Sequence, residues 1–192
     1  VGLKEHVAAI TERAMRGEID FEPALRERVG LLKGLPESVI AKVLAERITL
    51  TPGARALVQT MKANGAYAAL VSGGFTAFTG SVRERLGMDE DRSNTLHVED
   101  GLLAGTVGEP ILGRDAKRTR LEELIVERGI ARSDTLAVGD GANDLAMLDG
   151  AGLGIAFHAK PKVAEAADAR IDHGDLTALL YLQGYERDAF VD

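Results

Sequence analysis

Through the first fifty residues apolar side chains return every three to four positions: Val7, Ile10, Ala14 and Met15, then Leu25, Val29 and Leu32, then Val39, Ile40, Val43 and Leu44. That spacing lays an apolar stripe along one side of a helix, so three successive helices with no strand between them are expected. Pro23 suits a first helical turn, and Gly34-Leu35-Pro36 separates the second helix from the third. A small helical subdomain over residues 1–49 is one reading. The other is that these are simply the opening helices of a larger domain. The charged residues between the apolar ones, such as Glu5, Glu12, Arg13 and Arg16, read as a solvated face.

From residue 50 onward the rhythm changes to helix, strand, helix, strand. Thr51 and Pro52 can open a helix that runs to Asn64 and stops at Gly65. The apolar runs at residues 66–71, 135–138 and 153–157 have the near-continuous hydrophobicity of strands covered on both faces, and each precedes a helix-like segment. Such alternation implies parallel strands with right-handed crossovers, an open Rossmann-like α/β sheet over residues 50–192. Residues 95–98 and 102–107, separated by Glu99-Asp100-Gly101, read as a hairpin through an Asp-Gly turn, expected at the periphery because it interrupts the α/β rhythm. Residues 175–192 read as a final helix and a tail.

Composition narrows the chemistry. The 192 residues hold 23 Lys and Arg against 30 Asp and Glu, a formal charge of −7, with 45% hydrophobic residues and no Cys. The hydrophobic share suffices for a packed core, against intrinsic disorder. The acidic balance argues against nucleic acid or an anionic membrane as the main partner. No apolar run approaches a membrane span. Without Cys, disulfides and thiolate chemistry are excluded, and a cytoplasmic location is expected. The four histidines, His6, His97, His158 and His173, have no metal-ligand spacing and read as structural.

Ligands of open α/β sheets bind beyond the carboxyl ends of the strands, which directs attention to the residues just after each strand. Ser72-Gly73-Gly74 offers a hydroxyl and backbone amides to an anion, or is an ordinary strand-to-helix turn. Gly139-Asp140-Gly141-Ala142-Asn143-Asp144 puts two carboxylates four positions apart. Hard cations such as magnesium take carboxylate oxygens, keep several waters and often share them with a substrate phosphate. The alternative is that Asp140 caps the following helix while Asp144 complements its dipole. A dinucleotide fingerprint fits poorly, because its third glycine would be Asp144, and no P-loop occurs. Lys117 lies in the first turn of a long helix, where a cation opposes the helix dipole. That placement makes sense if its ammonium reaches an anion, and a solvated lysine is the bland alternative.

Taken in order, Ser72-Gly73-Gly74, Lys117 and Gly139-Asp140-Gly141-Ala142-Asn143-Asp144 resemble the second, third and fourth motifs of the haloacid dehalogenase superfamily of phosphotransferases. The likeness extends to Ala159-Lys160-Pro161 and to the helical stretch Phe21-Glu22-Pro23-Ala24-Leu25-Arg26-Glu27-Arg28-Val29 with Leu31-Leu32-Lys33-Gly34-Leu35-Pro36. It is strongest to the branch that acts on O-phospho-L-serine. The resemblance implies a magnesium-dependent phosphomonoester hydrolase working through an aspartyl-phosphate, at the last step of serine biosynthesis. Asp140 would ligate magnesium, and Asp144 would sit beside the metal, holding a metal-bound water or Lys117. Ser72, Gly73, Gly74, Lys117 and Asn143 would cradle the phosphoryl group. Arg28 would clamp the substrate carboxylate, and Phe21 would form part of a lid. The implied partner is a small phosphomonoester, with room left for a homodimer. A related phosphatase or phosphotransferase of the same fold is the alternative within enzymes.

One departure stands against this. The family's first motif, Asp-x-Asp followed by Thr or Val, supplies nucleophile and general acid/base, and no such sequence occurs among the 192 residues. Asp89-Glu90-Asp91 runs on into Arg92-Ser93, and Asp20 stands alone after Ile19. In the family that motif precedes the helical cap, so the expectation is that it and the first core strand lie upstream of Val1. These residues by themselves would then be inactive. The competing reading is a catalytically inactive phosphate- or metal-binding homologue.

Overall fold

In the computed structural model the described residues are 2–16, 18–113 and 115–191; the side chains of Leu3, Lys4 and Met15 also lie outside the description. Expectations that rest on Val1, Arg114 and Asp192, or on the Met15 side chain, therefore fall outside it. The chain forms two compact units, the first comprising Val1–Thr49, Ser72–Val82 and Asp91–Gly113, the second Leu50–Val71, Arg83–Glu90 and Arg114–Asp192. The break at Thr49 coincides with the change of rhythm in the sequence, while the first unit also draws in two later segments.

In the first unit the three expected helices are α1 (Gly2–Met15), α2 (Phe21–Gly30) and α3 (Ser38–Arg47). Leu25 and Val29 of α2 are buried with Val107, against Phe75, Leu96 and Ile111. The charged face of α1 is solvated, as the pattern predicts: Arg16 pairs with Glu12 and Glu18, and Arg13 with Glu27.

A further helix, α4 (Ala54–Ala63), starts later than the sequence suggests. Gly53, at φ 78°, makes the turn into it, with Thr51 O accepting from Ala54 N–H. Strand β1 (Ala69–Phe75) corrects the expectation more sharply. It begins three residues later than expected and continues through Ser72, Gly73 and Gly74, so these are strand residues and not a turn. The cause is pairing with β2 (Glu90–Asn94), a strand whose polar sequence carries no apolar alternation. Helix α5 (Thr76–Leu86) lies between the two. Thr79 on α5 meets the Asp91 carboxylate at 2.6 Å and the Ser93 hydroxyl at 2.7 Å, so the polar side chains of β2 are satisfied by partners.

The expected hairpin is β3 (Leu96–Glu99) and β4 (Leu102–Val107), antiparallel. Asp100 and Gly101 take φ values of 50° and 75°, the two left-handed positions of a type I′ turn. It is built into the helical unit. Gly34 N–H donates to Leu103 O, Leu103 N–H donates to Leu35 O, and Pro36 bridges Leu102.

The second unit holds α6 (Ala116–Arg128), β5 (Leu136–Gly139), α7 (Leu145–Gly150), β6 (Leu153–Phe157), α8 (Pro161–Ala166), β7 (Ala169–Ile171) and α9 (Ala178–Leu182). Strands β5, β6 and β7 form a parallel sheet in that order, with Val138 opposite Ile155 and Ile155 opposite Ala169. One of its faces packs Ala137 and Ala156 against Leu148, Ala151 and Val163; the other packs Ile155 and Ile171 against Leu179. This is the parallel α/β arrangement that the alternation predicts. Among the described residues no helix is long and apolar enough to cross a membrane.

Candidate phosphoryl-transfer site

The loop from β5 into α7 is organised by one side chain. Asp144 precedes α7 but does not cap it with its carboxylate. Its side chain folds back instead, and Oδ2 accepts the backbone N–H groups of Asp140 and Gly141, each at 3.0 Å. Oδ1 accepts from the Lys117 ammonium. Asp144 is 2% exposed, so a carboxylate stripped of water finds a cation and two amides in exchange. Glycine is required at the approach. A Cβ on Gly139 would lie 2.5 Å from Asp144 Cγ and 2.8 Å from its Oδ2.

Lys117 is the second residue of α6, where the helix dipole disfavours a cation. The opposing carboxylate offsets that cost, and the solvated-lysine reading gives way: the side chain is only 18% exposed. Neither carboxylate makes a cap hydrogen bond to α7, whereas Asp144 at its N-terminus remains placed to complement the helix dipole. Asp140 follows β5 directly, and its own carboxylate is solvent-exposed and makes no hydrogen bond or ion pair with any described residue. Its carbonyl accepts from Lys160 N–H at 3.2 Å, tying the loop to Ala159-Lys160-Pro161 beyond β6. Asn143 is exposed, with its side-chain oxygen over Gly141.

As a donor set for a hard cation, Asp140 contributes free carboxylate oxygens at a strand end, while both oxygens of Asp144 are already engaged. Magnesium accepts one or two carboxylates and completes its shell with water and phosphate oxygens, so the loop fits that ion with Asp140 as the direct ligand. Among the described residues no group of three or more His, Cys, Asp or Glu gathers as a metal cage. His97 bonds Thr106, and His158 stacks on Phe157 at 4.1 Å between ring centroids.

In the first unit, Ser72 Oγ accepts the Gly74 N–H at 3.0 Å, leaving its own proton free to donate. Phe21, the first residue of α2 and 36% exposed, lies over Gly73, where an added Cβ would come within 3.2 Å of the ring. Arg28, half-buried on α2, donates Nε–H to Ala24 O at 3.2 Å. Its terminal guanidinium nitrogens have no partner among the described residues. Phe21, Ser72, Gly73, Gly74 and Arg28 thus belong to one unit and Lys117, Asp140, Asn143 and Asp144 to the other.

Two polar residues beside these sets escape sequence reasoning. Asn94 ends β2, is 2% exposed, and bonds the backbone at Gly73 and Leu112. Arg120, one turn beyond Lys117 on α6, is 5% exposed and uses all five N–H donors on Glu90, Glu123 and Glu127. An Asn in a polar stretch and an Arg in a charged helix carry no signal of burial.

A haloacid dehalogenase-like hydrolase family model matches residues 3–149. Phosphoserine phosphatase of Streptomyces coelicolor is 48% identical over 187 residues, covering 97% of this chain and 45% of the relative. That of Haemophilus influenzae is 48% identical over 181 residues, covering 94% and 57%. The chain thus spans about half the length of these two curated relatives. Among solved structures, a phospho-aspartyl intermediate analogue of phosphoserine phosphatase superposes with a TM-score of 0.84 at 44% identity, over 94% of this chain and 86% of that one.

Proposed function

Because the chain belongs to the haloacid dehalogenase-like hydrolase family, we propose that it serves a magnesium-dependent phosphatase that converts O-phospho-L-serine to L-serine and phosphate through an aspartyl-phosphate. The observation that carries this reading is the Asp144 carboxylate, which joins the Lys117 ammonium to the Asp140 and Gly141 amides at the carboxyl end of β5. The similarity to phosphoserine phosphatases, one of them captured as a phospho-aspartyl analogue, supports the substrate and the intermediate.

Phosphoryl transfer is mainly positioning and charge stabilisation. Lys117 brings a cation, held by Asp144, to neutralise charge on the phosphoryl oxygens. In the first unit the Ser72 hydroxyl and the Gly73 amide are donors suited to phosphoryl oxygens, with Gly74 allowing close approach; in the second the Asn143 carboxamide is a further donor. Asp140 holds magnesium, which when bound supplies charge neutralisation to the phosphoryl group. The planar fork of Arg28 suits a carboxylate and reads the amino-acid end of the substrate, with Phe21 excluding water. The reaction also needs a carboxylate nucleophile, and none of the 192 residues is assigned that role.

Phosphate release from O-phospho-L-serine by the complete protein, abolished by EDTA and by Asp140→Asn, is the expected result. Release from other phosphomonoesters but not from phosphoserine would overturn the substrate and leave the reaction class. Arg28→Lys separates the two further: it raises KM for phosphoserine and leaves KM for phosphoethanolamine, which has no carboxylate, unchanged.

A further inference from the structure

A fully buried carboxamide is costly unless its donors and acceptor are all used, and when they are, it fixes the groups it touches. Asn94 meets that condition. Its Nδ2 donates to Gly73 O at 3.1 Å and to Leu112 O at 3.4 Å, and its Oδ1 accepts Leu112 N–H at 2.8 Å. Both backbone segments that it joins border the ring of Phe21. A Cβ on Gly73 would stand 3.2 Å from that ring, and one on Gly113, next to Leu112, would stand 3.9 Å from it. Every one of these residues lies in the first unit.

We propose that Asn94 is a positioning residue that fixes the Gly73–Gly74 peptide plane through the Gly73 carbonyl and so removes the ψ freedom of Gly73, limiting the swing of the Gly73 N–H that faces a phosphoryl oxygen. The proposal rests on the reading of Gly73 as a phosphoryl-binding amide. Glycine makes such a device necessary. Gly73 and Gly74 have no side chains to restrict their own dihedrals, so the orientation of the amides has to be imposed from outside. Ser72 Oγ and Asn94 Nδ2 hold the two ends of the Gly73–Gly74 peptide unit, its N–H and its carbonyl, so only the φ of Gly73 is left to vary. The residue type is dictated by the partners. Two carbonyls and one N–H call for a donor and an acceptor on one planar group, which Asn provides. An Asp of the same shape would turn an oxygen toward both carbonyls.

The test uses Asn94→Asp in the complete protein, with Asn94→Ser as a second variant, since serine's hydroxyl is too short to reach Gly73 and leaves position 94 uncharged. Three quantities are read well below the thermal midpoint: kcat and KM for O-phospho-L-serine, inhibition by inorganic phosphate, and the shift of the Gly73 amide resonance on adding phosphate to protein labelled with 15N-glycine. Both variants are expected to weaken phosphate inhibition about tenfold and to shrink the Gly73 shift, with kcat falling more than KM rises, because a misaligned donor is felt most where charge develops. A variant that melts earlier but keeps phosphate inhibition and the Gly73 shift within about twofold of wild type assigns Asn94 to packing alone and overturns the proposal. So does a wild-type Gly73 amide that phosphate does not move. Absence of phosphoserine turnover with the phosphate effects intact removes the substrate and leaves Asn94 its role.

Discussion

Lys117 and Asp144, 27 residues apart in sequence, close an ion pair whose carboxylate is 2% exposed and whose ammonium is 18% exposed. Among the described residues it is the one contact of Asp144 in which a charge of opposite sign takes part, the other two being backbone amides.

Replacing Lys117 with Met therefore strands a buried carboxylate. The two amides remain to it, so the expected loss is about 2 kcal/mol, short of the roughly 3–5 kcal/mol typical when a buried pair is broken. Urea unfolding measures it, and the proposed phosphatase activity is expected to vanish alongside. A Lys117→Met protein as stable as wild type would show that the pair contributes nothing to the fold.

Gly139→Ala attacks the same assembly from the backbone. Its methyl meets Asp144 Cγ and Oδ2, which three hydrogen bonds hold in place, so the conflict is relieved only by moving the loop. We expect about 1–3 kcal/mol of destabilisation and activity below one part in about a hundred, since misplacement by an ångström costs that much. A Gly139→Ala enzyme with normal kcat would refute the close approach described.

Arg120→Met should cost about 2–3 kcal/mol, nearly all through Glu90, the least exposed of its three carboxylates. The hydrogen bonds of Glu90 and Glu127 hold the Arg120 guanidinium more firmly charged than an ordinary arginine. Arg120→Lys keeps the charge but not the fork and should fall between. Because the pair is buried, about 1 M NaCl should leave these differences intact. Their disappearance in salt would mark Arg120 as an ordinary surface pair.

Asp175 gives a pH-dependent prediction. Hydrogen bonds from the Thr177 hydroxyl and N–H hold its carboxyl below the usual carboxylate range. With the folded value below the unfolded one, its contribution is complete above about pH 4 and is lost as pH falls through the lowered value. The stability difference between wild type and Asp175→Asn, measured by thermal unfolding, should thus be constant from about pH 7 to about 4 and shrink below that. A difference independent of pH would remove the linkage.

Much of the fold is legible in the sequence. The 3–4 spacing located α1, α2 and α3, and Asp100-Gly101 announced the turn whose two left-handed residues the hairpin needs. Strands β5 and β6 appeared at the apolar runs because both of their faces are covered by helices. What stayed hidden was polar. Strand β2 has no hydrophobic alternation, since Asp91 and Ser93 are satisfied by Thr79, and Glu90 by Arg120 and Tyr67. With β2 unseen, nothing in the sequence indicated that β1 would run on through its glycines. The candidate loop from Gly139 to Asp144 stands out in the sequence because acids and glycines crowd there. Asn94 does not, because its importance lies wholly in the backbone groups of residues distant in sequence.

The backward fold of the Asp144 side chain also divides the labour of the two acids. Asp144 is the clasp of the loop, and a variant there changes shape and chemistry together, so its lost activity says little about either. Asp140, with a carboxylate that no described residue engages, can be changed without undoing the clasp. Of the two acids, it is the one whose substitution separates the electrostatics of the proposed reaction from the architecture of the loop.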